Sequence, residues 1–104
     1  METVVETRAY LSAAKDAGMS DEEREIAVNL ISANPEAGEL MVGTGGCRKI
    51  RFAGKGRGKS GGYRLISFYR TGGRVFLLTV FAKGDRANLT QGERNGLKAL
   101  TALL

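Results

Sequence analysis

The apolar residues of this chain change period partway along. Up to Asn34 they recur at helical spacing: Tyr10, Leu11, Ala13 and Ala14, then Ile26, Ala27, Leu30 and Ile31. From Gly46 onward they alternate, so Ile50 and Phe52 are separated by Arg51 and preceded by Lys49. A chain patterned this way cannot be all helix or all strand; it has to lay helices on a sheet. At 104 residues it reads as one domain over 1–104, with room for a single core and no second lobe.

Local signals set the expected elements. Glu2–Thr7 predicts a short strand through Val4 and Val5. A helix follows and Gly18 stops it. Ser20-Asp-Glu-Glu23 is a capping box, in which Ser20 bonds the Glu23 backbone N–H and Glu23 reaches back. Its acids also suit a helix N-terminus. Asn34-Pro35 ends this second helix, giving a helical hairpin over 8–33 that buries the Ile26, Ala27, Leu30 and Ile31 stripe. Residues 35–46 read as a loop. Strands are expected over Arg48–Phe52 and Tyr63–Tyr69, around a glycine-basic loop over 54–62. Thr71-Gly72-Gly73 is a hairpin turn, and Val75–Ala82, the most apolar strand, is expected at the centre of the sheet. Thr90-Gln-Gly-Glu93 is a second capping box, opening a helix with Leu97, Ala99, Leu100, Leu103 and Leu104 as its apolar side. The order is β-α-α-β-β-β-α: an α+β fold with an N-terminal helical hairpin packed on a small, mainly antiparallel sheet.

Charge is segregated along the same boundary. Residues 1–40 carry three cations against nine acids. Between Met41 and Gly84 there are ten cations and no acid: Arg48, Lys49, Arg51, Lys55, Arg57, Lys59, Arg64, Arg70, Arg74 and Lys83. The chain totals +5. Strand-borne cations sit at set places on a sheet, and a segregated basic face is the footprint of a protein that meets phosphates.

The composition removes several chemistries. There is no histidine, which excludes Ser-His-Asp triads, histidine nuclease pairs and histidine-containing zinc sites. One cysteine, Cys47, cannot form an internal disulfide and reads as a small structural residue in a reducing, cytoplasmic setting. Neither a metal nor a cofactor is expected. The longest apolar runs, Val75–Ala82 and Leu100–Leu104, are far short of the roughly 20 residues of a membrane helix. The acidic start lacks the pattern of a signal peptide. Ala53-Gly-Lys-Gly-Arg-Gly-Lys-Ser60 nearly matches a phosphate-binding loop of nucleotide hydrolases. That loop works only between a strand and a helix N-terminus, and here a strand follows. The segment reads instead as a glycine loop presenting Lys55, Arg57 and Lys59 to a polyanion.

Lys49 and Arg51 share one strand face, and Arg64 can lie beside them if the next strand folds back; Lys83 ends the third strand. Such a surface can bind RNA, and it can also cut it. Attack by a ribose 2′-hydroxyl needs a base, positive charge on the crowded phosphate and an acid for the leaving oxygen. Arginine's fork suits the phosphate. A lysine serves as base only when its pKa falls, which neighbouring cations favour.

Gly43-Thr-Gly-Gly-Cys-Arg-Lys-Ile-Arg-Phe-Ala-Gly-Lys-Gly-Arg-Gly-Lys-Ser-Gly-Gly-Tyr-Arg64 and Val75-Phe-Leu-Leu-Thr-Val-Phe-Ala-Lys83 together resemble the HigB branch of the RelE/ParE toxin superfamily. So do Asn88-Leu-Thr90 and Asn34-Pro-Glu-Ala-Gly38. The resemblance implies a RelE-like fold and a toxin of a type II toxin–antitoxin system that cuts mRNA in the ribosomal A site without metal. It implies a cognate antitoxin, often with a helix-turn-helix DNA-binding domain, that meets operator DNA as a complex. By motif, Lys49, Arg51, Arg64 and Lys83 fall on catalytic positions, with Lys49 the first choice of base and Lys83 the second. Arg48, Lys55, Arg57 and Lys59 would grip RNA backbone, and Tyr69 or Phe68 would stack on bases. Relatives often place a Tyr or His near Asn88-Leu-Thr90 and read K-N-E at Lys83-Gly84-Asp85; this chain departs at both. Two other readings remain open: a ParE-like gyrase inhibitor and a non-catalytic RNA-binding domain.

Overall fold

The computed structural model describes residues 2–53, 62–70, 72–84 and 88–104. Its elements are β1 (Thr3–Glu6), α1 (Arg8–Ala17), α2 (Asp21–Ala33), β2 (Glu39–Leu40), β3 (Cys47–Phe52), β4 (Tyr63–Tyr69), β5 (Arg74–Ala82) and α3 (Gln91–Thr101). The α+β arrangement and the helical hairpin stand as expected. The order differs by one strand, because the stretch read as loop before Gly46 adds β2 to the sheet edge. Two residues are too few to show an alternating pattern.

The sheet order is β1-β5-β4-β3-β2. Only β1 runs parallel to its neighbour, β5; the other pairs are antiparallel. The central strand is thus β4, with the most apolar strand, β5, next to it.

Helix ends follow the local chemistry. Thr7 caps α1, and Gly18 closes it in the left-handed region at φ 82°, donating to the Lys15 carbonyl. Both expected capping boxes are present, on Ser20–Glu23 and Thr90–Glu93.

The helical hairpin covers one sheet face. Tyr10, Ala14, Met19, Ala27 and Ile31 pack on Ile50, Phe52, Tyr63, Leu65, Val75, Leu77, Val80 and Ala82. The side of α2 turned inward is Glu23, Ala27 and Ile31, while Ile26 and Leu30 remain 39% and 44% exposed. Ala27 and Ile31 of the expected stripe are buried, and the Glu23 carboxylate joins them on the inward side where Ile26 and Leu30 were expected, which turns the buried face slightly around the helix. Its Oε1 accepts from the Ser20 N–H at 2.9 Å and from the Tyr63 hydroxyl at 3.1 Å. One acid thus caps α2 and ties it to β4.

The other face carries a second core of Met41, Cys47, Ile66, Leu78, Phe81 and Leu89, with Leu97 and Leu104 against it. Of the expected apolar side of α3, Ala99, Leu100 and Leu103 stay exposed. A bulge between Ile66 and Ser67 leaves Leu78 as an extra residue in β5, since Ile66 pairs with Thr79 and Ser67 with Leu77. The bulge resets the alternation, so Val75 and Leu77 face the helices, and so do Val80 and Ala82.

Two buried hydroxyls give the fold measurable signatures. Tyr63→Phe removes one partner of the buried Glu23 carboxylate and should cost about 1–3 kcal/mol in denaturant unfolding. Tyr10 is fully buried, and its hydroxyl has no hydrogen-bond partner among the described residues. Burial, with Glu6 adding to it, pushes its pKa from 10.0 to about 12. The neutral form is favoured in the folded state, so this contribution is complete below pH 10 and lost as pH rises toward 12. Tyr10→Phe should flatten that alkaline fall, measured as unfolding free energy against pH.

Candidate RNA-facing site

Where the second core ends, the sheet face turns cationic. In β3 the side chains of Cys47, Lys49 and Arg51 share this face, and in β4 those of Arg64, Ile66 and Phe68. The register sets Arg51 directly opposite Arg64 and Lys49 opposite Ile66. Arg64 pairs on its other side with Phe81, two residues before Lys83, whose N–H bonds the Gly62 carbonyl at 2.9 Å. The sheet therefore brings Lys49, Arg51 and Arg64 together on one face, with Lys83 at its end.

Their environments differ. Arg51 is exposed, whereas Arg64 is only 6% exposed and lays its guanidinium over its own strand, donating to the Tyr63 carbonyl at 3.2 Å. Like charges directly opposite on a sheet are destabilising, so this pair is held by the surrounding ladder. Among the described residues neither Lys49 nor Arg51 forms an ion pair. Lys49 Nζ donates to Asn88 Oδ1 at 3.4 Å. Across from Lys49 on β2 lies Glu39, and both line a shallow cleft with Leu40, Met41, Val42 and Arg94. Sequence reading missed Asn88 and Glu39 as neighbours of this face. Asn88 stood out only as part of the stretch where relatives place a Tyr or His, and Glu39 lies in β2, the unrecognised strand.

Two expected contacts lie elsewhere. Arg48 alternates onto the face of Ile50 and Phe52 and donates to the Gly38 carbonyl at 3.2 Å. Tyr69 packs against the helical core, and its hydroxyl donates to Glu2 Oε2 at 3.3 Å. Phe68 packs against the second core instead. Lys55, Arg57 and Lys59 lie outside the described residues.

The Gly43-Thr-Gly-Gly46 motif has a structural job. Thr44 is fully buried; its Oγ1 donates to the Met41 carbonyl at 2.7 Å and accepts from the Cys47 N–H at 3.1 Å. Thr101 of α3 reaches the Thr44 carbonyl at 3.4 Å. This turn starts β3 and anchors the C-terminal helix against it. Gly38, at φ 94°, has no room for a Cβ, which would lie 2.5 Å from the Lys49 carbonyl. That close approach sets the β2 side of the cationic face.

The opposite side of the protein is acidic. An open groove between β1 and α2 is lined by Glu6, Asp21, Glu22 and Glu25, with Arg24 bridging Glu6 through Nε at 3.0 Å. Among the described residues, no cluster of three or more His, Cys, Asp or Glu is placed to hold a metal ion. Nor is any described helix long and apolar enough to cross a membrane.

Residues 2–104 match the family model described as the RelE toxin of the RelE / RelB toxin–antitoxin system. The chain belongs to the RelE toxin family. It is thus a toxin of a toxin–antitoxin system, and the family implies a cognate antitoxin partner.

Cys47 is fully buried, and burial pushes its thiol pKa up, with the Thr44 hydrogen bond opposing. A raised pKa and no access make it inert. Folded protein should react with a thiol reagent only at its rate of unfolding, so denaturant should accelerate labelling strongly.

Proposed function

We propose that this toxin is a ribosome-dependent mRNA endonuclease of the HigB-like branch, acting in the cytoplasm on the message in the A site. The observation that carries this reading is the cross-strand pair Arg51–Arg64 with Lys49 on the same face. Arginines directly opposite on neighbouring strands supply guanidiniums suited to the non-bridging oxygens of a phosphate, and their charge would stabilise the extra negative charge that develops as it becomes five-coordinate. The buried Arg64 is the better preorganised of the two, since its backbone is fixed by ladders on both sides.

In the reaction a base takes the proton of a ribose 2′-hydroxyl. The oxygen attacks the adjacent phosphorus, and the bond to the 5′ oxygen of the next nucleotide breaks as that oxygen gains a proton. The products are a 2′,3′-cyclic phosphate and a 5′-hydroxyl. Lys49 is the proposed base, with Lys83 as second choice. Lys55, Arg57 and Lys59 would hold the RNA backbone. The ribosome and mRNA meet the cationic side, because the acidic α2 side repels a polyanion. The antitoxin, read as a helix-turn-helix protein, links the toxin to operator DNA.

Inducible expression in bacteria, with primer extension across a reporter message, tests this reading. Wild type should cut at in-frame codon positions only while the message is translated. Arg51→Ala and Arg64→Ala should each lower cleavage by about a hundredfold or more. Arg51 is exposed, so its variant keeps the fold and isolates the charge effect. Growth arrest with intact mRNA would favour gyrase inhibition. RNA binding without arrest would favour a non-catalytic RNA-binding domain.

A further inference from the structure

Strand alternation assigns Lys49 to the cationic face, but it does not say where the end of a four-carbon side chain rests. An exposed lysine on an open sheet samples many rotamers, and its ammonium is then poorly placed for any one atom of a substrate. Here the ammonium has a partner. Nζ lies 3.4 Å from the amide oxygen of Asn88, 39 residues further along the chain. The next two residues fix the backbone of Asn88. Leu89 is buried in the second core, and Thr90 is the N-cap of α3, locked by its capping box with Glu93. A side chain whose next residue is buried and whose second neighbour caps a helix stands on a rigid mount.

From this geometry we infer that Asn88 is a positioning residue for Lys49. Its amide oxygen accepts one ammonium hydrogen and sets the place of Nζ on the cationic face. The inference rests on the reading of Lys49 as a group of the cleavage site.

The choice of an amide has a chemical reason. A carboxylate at this position would pair with the ammonium, hold it in the charged form and repel the incoming phosphate. An amide oxygen orients the nitrogen and adds no net charge. Among the described residues, the other charged groups around Lys49 come from three strands, a helix and the residue that follows β5. Glu39 lies directly across on β2, Arg51 and Arg64 stand on β3 and β4, and Arg94 of α3 lines the same cleft. Lys83 closes the face beyond β5. Cations thus outnumber the carboxylate, and a second carboxylate at Asn88 would shift the local balance away from the one that suits a phosphate.

The test uses the full-length toxin on programmed ribosomes, in single-turnover cleavage of a defined message. Asn88→Ala should slow the bond-breaking step by about tenfold, the worth of one hydrogen bond to a charged group. The toxin concentration giving half-maximal rate should not move. Asn88→Asp keeps an acceptor oxygen but adds charge, so the rising limb of its pH–rate profile should move to higher pH. A merely structural role would not move that limb. A second readout needs no cleavage: NMR relaxation of the lysine ε-carbons should show Lys49 ordered in wild type and as mobile as the exposed Lys15 in Asn88→Ala.

Unchanged Lys49 order in Asn88→Ala overturns the inference. So does cleavage by Asn88→Ala within twofold of wild type while Lys49→Ala is inactive; the reading of the site then stands. Full activity of Lys49→Ala would overturn that reading, and the inference with it.

Discussion

The antiparallel ladder between β3 and β4 is the interaction on which both the core and the site depend. β4 is hydrogen-bonded along both edges and buried on both faces from Tyr63 to Ser67. One of its faces holds Tyr63 and Leu65 against the helices, while the other holds Ile66 in the second core and Arg64 beside it. A slip of one residue in the β3–β4 register would exchange these faces. It would put Arg64 under the helices and Leu65 among the cations. Burial of Leu65 and Ile50 on the helical side therefore enforces the register that sets Arg51 opposite Arg64.

That arrangement costs stability at the candidate site. Two arginines directly opposite on neighbouring strands bring like charges together, and Arg64 is largely withdrawn from water. The compensation lies on the other side of the same strands, where apolar side chains interdigitate with α1 and α2. The Glu23–Tyr63 hydrogen bond adds a tie between α2 and the residue next to Arg64. Charge is thereby sorted by layer: acids mostly on the helical hairpin, cations on the uncovered part of the sheet.

Much of the fold was legible because its signals are local. A serine or threonine three residues before a glutamate specifies a capping box by reach alone, and both boxes form. Glycine at the end of α1 and Asn34-Pro35 at the end of α2 act within one turn. Tyr63–Tyr69 is bounded by Gly61-Gly62 and Gly72-Gly73 and is a strand over those same residues. What was missed depends on distant neighbours. β2 closes on β3 beside Gly38, whose backbone approaches the Lys49 carbonyl too tightly for a Cβ, and two residues of sequence cannot announce that pairing. The rotated face of α2 reflects a buried acid satisfied by a tyrosine 40 positions away. Leu100 and Leu103 are apolar by pattern, yet the small second core has room only for Leu97 and Leu104 from this helix and its end.

The candidate site divides in the same way. Alternation alone placed Lys49 and Arg51 on one face and made Arg64 their neighbour, because period two is a property of any strand. Arg48 and Tyr69 were assigned to the RNA by charge and ring, which say nothing about facing; parity turns both to the helical side. The sequence by itself determined the elements other than β2, their caps, the segregated charge and the family, all of which are written in short-range pattern. Only the tertiary structure decided the register of Arg51 on Arg64, the bulge at Leu78 and the meeting of Lys49 with Asn88. Each of these is a contact between chain segments whose relative position is set by which apolar faces can be buried together.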